Sequence, residues 1–244
     1  MKEITAITFM RFPDFKSKYK ALTMMNEGHQ YLADVSGLNF YKLMGSGKGN
    51  GFNPFPDWSV YCLLTNWKDT ESATEFFKNS YFFKHYDQYM SEKWTGLMKC
   101  AKSKGEWSGK EPFTPDPEFS DLLEEEPVAV LTRATIKTSK LIKFWSYVPR
   151  SSYALKNNSD IVFSKGVGEI PVVQMATFSI WKNFKSMTNF AYGSKGHQGA
   201  IKRTHKHNWY KEELFARFVI FDTIGEFSGI DLNIKDRSTI NGGN

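Results

Sequence analysis

Eight β-prone stretches run through the chain, and they fall into two sets of four that match in order. The first set covers residues 3–11, 39–45, 58–67 and 95–103, the second 128–137, 160–166, 171–181 and 213–223. In each set a helix-length stretch (15–34; 138–156) follows the first strand, and two broken helical segments precede the last. The third strands both close on tryptophan, SVYCLLTNW at Trp67 and VVQMATFSIW at Trp181. Behind the first half stands GEWSG (105–109), behind the second GEFSG (225–229), and the openings ITAITFMRF and VAVLTRATI run in parallel. Read this way, each half is β-α-β-β-α-β, the ferredoxin-like unit. Its antiparallel sheet carries helices on one face only. Two such sheets therefore pack face to face, and the expected class is α+β, two ferredoxin-like repeats forming an α+β barrel with an apolar interior. The halves are 1–110 and 128–230. Between them EPFTPDPEFSDLLEEEP (111–127) reads as an exposed, acidic, proline-spaced linker, and 231–244 as a flexible tail.

Composition narrows this picture in a few places. A length of 244 residues suits one large domain or two small ones, and an aromatic share of 16% supplies enough bulk to fill a core or line an apolar cavity in both halves. Lys and Arg number 32 against 26 Asp and Glu. The excess suits an anionic membrane surface or a carboxylate-bearing cofactor. Nucleic acid is not expected, since neither a clustered basic helix nor an RNA-binding strand motif occurs. Cys62 and Cys100 imply no disulfide framework and a reducing compartment. The opening MKEITAITFMRF reads as a strand rather than a signal peptide, and no apolar run reaches membrane-spanning length. A cytoplasmic protein is expected.

Few residues offer chemistry. The run GSGKGNG (45–51) misses both the phosphate-loop and dinucleotide spacings and joins two strands, so it reads as a hairpin connection or a lid at a pocket mouth. Glu212-Glu213 reads as a solvated helix-to-strand junction. Zinc spacings and a serine elbow are absent. Five histidines remain. His29 sits in a polar helical stretch, and His205 and His207 in a basic one. His85 and His197 hold corresponding places in the two halves, but His85 is crowded by Phe82, Phe83, Tyr86 and Tyr89 whereas His197 stands in GSKGHQGAI. On a helix Ala200 and Ile201 share its face. The residues alone allow two readings, a histidine in a glycine-broken helix or the proximal ligand of a haem iron approached by a flat ring. On the strands, Arg133 alternates with Leu131 and Thr135. It either bridges to a carboxylate, faces a ligand, or points outward.

The stretches FYKLMGSGKGNGF (40–52), GEWSG with KEPF (105–113), VAVLTRATIK (128–137), ATFSIW (176–181), HQGAI (197–201) and WYKEELFARF (209–218) together resemble the spheroidene monooxygenase family. The resemblance implies a haem b oxygenase that hydroxylates or ketolates carbon 2 at the end of an acyclic carotenoid with dioxygen and a ferredoxin-type reductant. It also implies the dimeric α+β barrel type of haem protein, with His197 on iron beside Ala200 and Ile201. Arg133 and Gln174, or Thr177, would be the polar groups across the haem, Lys202 or Arg203 would meet its propionates, and His85 would be structural. A water-insoluble substrate further implies peripheral contact with the inner membrane. Two other readings stand beside this one: a haem lyase of the aldoxime-dehydratase kind, and a non-catalytic haem or pigment carrier.

Overall fold

The structure is a computed structural model and describes residues 2–49, 51, 53–119, 126–147, 158–193, 209–230 and 232. Eight strands close into one antiparallel barrel: β1 (Ile4–Arg11), β2 (Leu38–Gly47), β3 (Pro56–Trp67), β4 (Glu92–Gly105), β5 (Val128–Ile136), β6 (Ile161–Ile170), β7 (Gln174–Trp181) and β8 (Tyr210–Glu226). Around the barrel they follow the order β1-β3-β2-β6-β7-β5-β8-β4. The first half is thus a sheet in the order β4-β1-β3-β2, the second a sheet in the order β8-β5-β7-β6. The two joints between the sheets differ greatly. β4 and β8 pair along most of their length, from Lys93 with Glu226 to Gly105 with Leu214. β2 and β6 share only two backbone pairs, Gly45 with Gly168 and Ser46 with Val167, beside the Lys42–Glu169 ion pair.

Helices lie on the outer side of the barrel. α1 (Phe15–Glu27) starts where the Asp14 carboxylate accepts from the Ser17 amide at 3.0 Å, and α2 (Thr70–Asn79) where Asp69 accepts from Ser72 at 2.8 Å. α3 (Tyr81–Tyr86) follows directly. In the second half a helix begins at residue 141 and is described to 147 (α4), and α5 (Phe184–Gly193) follows Asn183, which accepts from the Ser186 amide at 2.8 Å. The long helix expected at 15–34 is shorter, because the chain tightens into a 3-10 turn at Gly28–Tyr31. The one expected at 138–156 opens with a 3-10 turn at Thr138–Lys140.

Alternation decides what faces inward. Ile7 and Phe9 of β1, Ala129 and Leu131 of β5, Phe178 of β7 and Phe218 of β8 join one cluster that fills the barrel. The apolar interior expected from the sequence is there, but as packed side chains. A second cluster lies outside the first sheet, where Ile4, Met10 and Leu63 pack under Met24, Phe82 and Tyr86 of the helices. The strand-ending tryptophans anchor both outer layers. Trp67 donates to the Thr65 hydroxyl at 2.8 Å and stacks on Phe76 at 4.9 Å; Trp181 donates to the Ser179 hydroxyl at 2.9 Å and stacks on Phe190 at 5.0 Å. Each such ring removes enough apolar surface from water to contribute about 2–3 kcal/mol. The stretch expected to be an exposed linker is partly built in. Phe113 is buried against Phe218 inside the barrel, and the Asn66 side chain donates to the Pro112 carbonyl.

Candidate functional site

The GEWSG and GEFSG turns stopper opposite ends of the barrel. At one end Trp107 lies beneath the Arg133 guanidinium (5.4 Å) and donates to Glu169 at 2.6 Å. Arg133 is ion-paired with Glu212, which also accepts from the Gly109 amide at 2.8 Å. At the other end Phe227 lies beneath Arg11 (4.6 Å), Arg11 pairs with Glu92 at 2.9 Å, and Glu92 accepts from the Ser228 amide at 2.8 Å. Gly105 and Gly225 open the two turns with φ of +100° and +78°, and a Cβ at either would stand 2.2 Å from a strand carbonyl, that of Glu213 or of Lys93. Burial alone would raise the Glu212 carboxyl. Hydrogen bonds from the Gly109 and Ser108 amides and the Arg133 charge overcome this and hold it below the ordinary glutamate range.

Of the readings open for Arg133, the geometry shows the bridge to a carboxylate. Arg133 faces inward, as its alternation with Leu131 implies, and is almost wholly buried. Its charge is committed to Glu212, because a guanidinium inside an apolar barrel needs a carboxylate. Glu212 itself is no solvated junction. β8 begins at Tyr210, so Glu212 points in and Glu213 out. Gln174, at the start of β7 opposite Thr135, alternates with Ala176 and Phe178 of the interior and is half-buried at the barrel rim. His85 is half-buried, with its ring 5.5 Å from Tyr31 and 4.7 Å from Tyr86. His197, Ala200, Ile201, Lys202, Arg203, His205 and His207 lie outside the described residues.

The two outer sheet faces differ at one row. In the first half Leu63, Thr8 and Thr95 stand side by side across β3, β1 and β4. All three are buried, and the two threonine hydroxyls bond at 2.8 Å. The corresponding row of the second half is Thr177, Thr132 and Phe215 across β7, β5 and β8. Here Thr132 is exposed, Phe215 is 37% exposed and Thr177 is half-buried. Two residues along β8 on the same face, Arg217 lies over the Phe184 ring of α5 at 4.5 Å. Among the described residues, one half thus covers its central row, and the other leaves it open beside α5. Sequence reading singled out Thr177 but neither Thr132 nor Phe215. Thr8 and Thr132 are the same residue at the same place, and only what lies over them tells them apart.

Other candidates are weaker. Among the described residues no group of three or more His, Cys, Asp or Glu side chains is placed to hold a metal ion. Burial pushes the Cys100 thiol up to about 12 and the Cys62 thiol higher still, so neither is a nucleophile at neutral pH. A cleft of about 1010 Å³ beside α2 is lined by solvated groups such as Asp34, Lys68 and Lys78 together with Tyr31 and Tyr81.

An eight-stranded antiparallel barrel with helices outside and one open sheet face defines an α+β barrel protein of a known kind. The fold is similar to that of two solved aldoxime dehydratases. One matches with a TM-score of 0.61 at 9% identity over 93% of this chain and 86% of its own. The other, in complex with butyraldoxime, matches with a TM-score of 0.60 at 10% identity over 93% and 84%. At that identity the likeness concerns the fold alone. No protein-family profile matches the chain. Individual relatives do: spheroidene monooxygenase of Cereibacter sphaeroides is 40% identical over 232 residues, 95% of this chain and 70% of the relative. That of Rhodobacter capsulatus is 33% identical over 228 residues, 93% and 94%. The chain belongs to the spheroidene monooxygenase family and is an oxidoreductase.

Proposed function

We propose that the chain is a haem-dependent monooxygenase that hydroxylates, or ketolates, carbon 2 at the end of an acyclic carotenoid, with dioxygen and reduced ferredoxin as co-substrates. The observation that carries this reading is the open row Thr177–Thr132–Phe215, set against its closed counterpart in the first half. Three neighbouring strands span about 10 Å, which suits a flat tetrapyrrole laid on the sheet. Bound there, the haem would supply an iron that activates dioxygen for insertion into a C–H bond. Phe215 offers the ring an apolar wall. The Thr132 and Thr177 hydroxyls offer hydrogen bonds within the row itself, with Glu213 and Arg217 flanking Phe215 on the same face. Arg133 and Glu212, on the other side of the same strands, act as positioning residues that hold β5 and β8 in register beneath the row. Gln174 stands at the rim of the same strands, on the interior side with Arg133. His197, which follows α5 in the sequence, is the residue proposed for the iron, with Ala200 and Ile201 beside it and Lys202 or Arg203 at the propionates.

The same reading takes the halves 1–110 and 128–230 as duplicated ferredoxin-like repeats. The paired stoppers, the paired tryptophan anchors and the matching strand orders support it. A substrate that dissolves in lipid also makes contact with a membrane surface part of the proposal. The test is an absorption spectrum of the purified protein supplied with haem, together with turnover of an acyclic carotenoid. A Soret band that His197→Ala abolishes and His85→Ala retains is expected, with turnover that stops when dioxygen is removed. Protein that takes up no haem overturns the proposal, and haem-loaded protein turning over without dioxygen moves it to the lyase reading.

A further inference from the structure

α1 carries apolar side chains on the face turned away from the barrel. Its buried residues are Ser17, Ala21 and Met24. Phe15, Tyr19 and Leu22, spaced to share one stripe on the opposite side of the helix, are exposed, Phe15 by 87%. A groove of about 310 Å³ lies beside this stripe. Leu22 and Met25 form one wall and Trp58 the other, and the glycines at the narrow β2–β6 joint lie along its floor. Trp58 is 55% exposed, and Phe55 just before it 68%. Large apolar side chains standing together in water at this density mark a surface that meets another apolar phase.

The charges around the patch say which phase. Lys16 and Lys18 fall on opposite sides of the helix stripe, and Lys48 stands in the loop that carries Phe55; none of the three is ion-paired among the described residues. Of the nearby carboxylates, Asp57 holds Lys165 at 2.7 Å and Glu169 holds Lys42 at 2.6 Å, while Asp14, which caps α1, keeps one negative charge. The patch is therefore apolar with a rim in which three lysines outnumber one free carboxylate. A second copy of the chain laid symmetrically on it would bring those lysines against one another. We propose that this face docks the protein on an anionic bilayer, with Phe15, Tyr19, Phe55 and Trp58 entering the headgroup region and Lys16, Lys18 and Lys48 meeting lipid phosphates.

This names the surface for the membrane contact proposed above and rests on that reading only for its purpose. Vesicle binding needs neither haem nor carotenoid, so its failure is separable from failure of the oxygenase assignment. The experiment is flotation of the full chain with vesicles of phosphatidylcholine containing about a third phosphatidylglycerol. The wild type and Tyr81→Glu, which alters an exposed aromatic on α3, should float, and the double variant Phe15→Glu/Trp58→Glu should not. Replacing Lys16, Lys18 and Lys48 by Gln should weaken partitioning roughly fivefold per lysine and flatten its salt dependence. A wild type that stays in solution, a double variant that floats as well as the wild type, or equal loss in Tyr81→Glu overturns the proposal. So does a wild-type dimer that the double variant dissociates, since the face would then serve self-association.

Discussion

Arg133 is locked against Glu212 across β5 and β8, and the Trp107 ring lies beneath the pair at the mouth of a filled barrel. Arg133→Leu keeps apolar bulk but strands the carboxylate, so a loss of about 3 kcal/mol in unfolding free energy is expected. Adding Glu212→Leu should cost little more, giving a coupling above about 1.5 kcal/mol in a urea double-mutant cycle. If Arg133→Leu is fully stable and instead loses turnover, the guanidinium faces substrate or oxygen, and the positioning role is wrong.

The same bridges make stability fall in acid. Glu212 and Glu92 are both held below the ordinary glutamate range in the folded protein; for each, burial pushes upward and is outweighed by backbone amides and an arginine. A depressed folded pKa contributes stability that is complete above the unfolded value, about 4.3, and is lost as pH falls through the folded one. Denaturation followed from pH 7 downward should therefore be level until roughly pH 5 and decline below it. Glu212→Gln should lower the plateau and make the decline shallower.

The stopper turns answer differently to one added methyl group. Gly225→Ala combines a left-handed backbone with a Cβ 2.2 Å from the Lys93 carbonyl, and a loss above about 2 kcal/mol is expected. Gly109→Ala, at φ +70° with nothing within 4 Å, should cost about 1 kcal/mol. Comparing the two midpoints in urea separates crowding from backbone conformation. Equal effects would mean that the turn relaxes around the clash.

Thr132 and Thr8 offer the sharpest contrast. Thr132→Trp fills the open row, so the fold should persist, and if haem lies there as proposed its affinity should drop on the order of tenfold or more. Thr8→Trp forces a ring into a packed layer and should leave little folded protein. Haem titration and circular dichroism on both proteins decide this. Undiminished haem binding by Thr132→Trp would place the cofactor on another surface.

Much of the scaffold was legible in the sequence. The tryptophan-ended strands and the paired GEWSG and GEFSG turns follow from period-two alternation and repetition, which are local properties, whereas the face taken by Arg133 stayed open because a shift of one residue reverses it. What escaped depends on the partners a residue meets. Glu212 was read as a solvated junction because helix spacing was assumed for it, whereas a strand there turns Glu212 toward Arg133 and Glu213 away. Phe113 looked like part of a free linker because prolines and acids surround it, yet its ring finds Phe218 inside the barrel. The open row was invisible for the plainest reason: no pattern within β5 records which of the described elements lies over it.

A ring fastened by two clasps of unequal strength comes undone at the smaller one. β4 and β8 share a long ladder, while β2 and β6 share only the backbone pairs Gly45–Gly168 and Ser46–Val167 and the Lys42–Glu169 ion pair beside them. Hydrogen exchange should therefore find the amides of that short clasp trading with solvent well before those of β4 and β8. Because the groove beside Trp58 sits over this clasp, a bilayer that grips the groove walls would be pressing on the one place where the cylinder is ready to part.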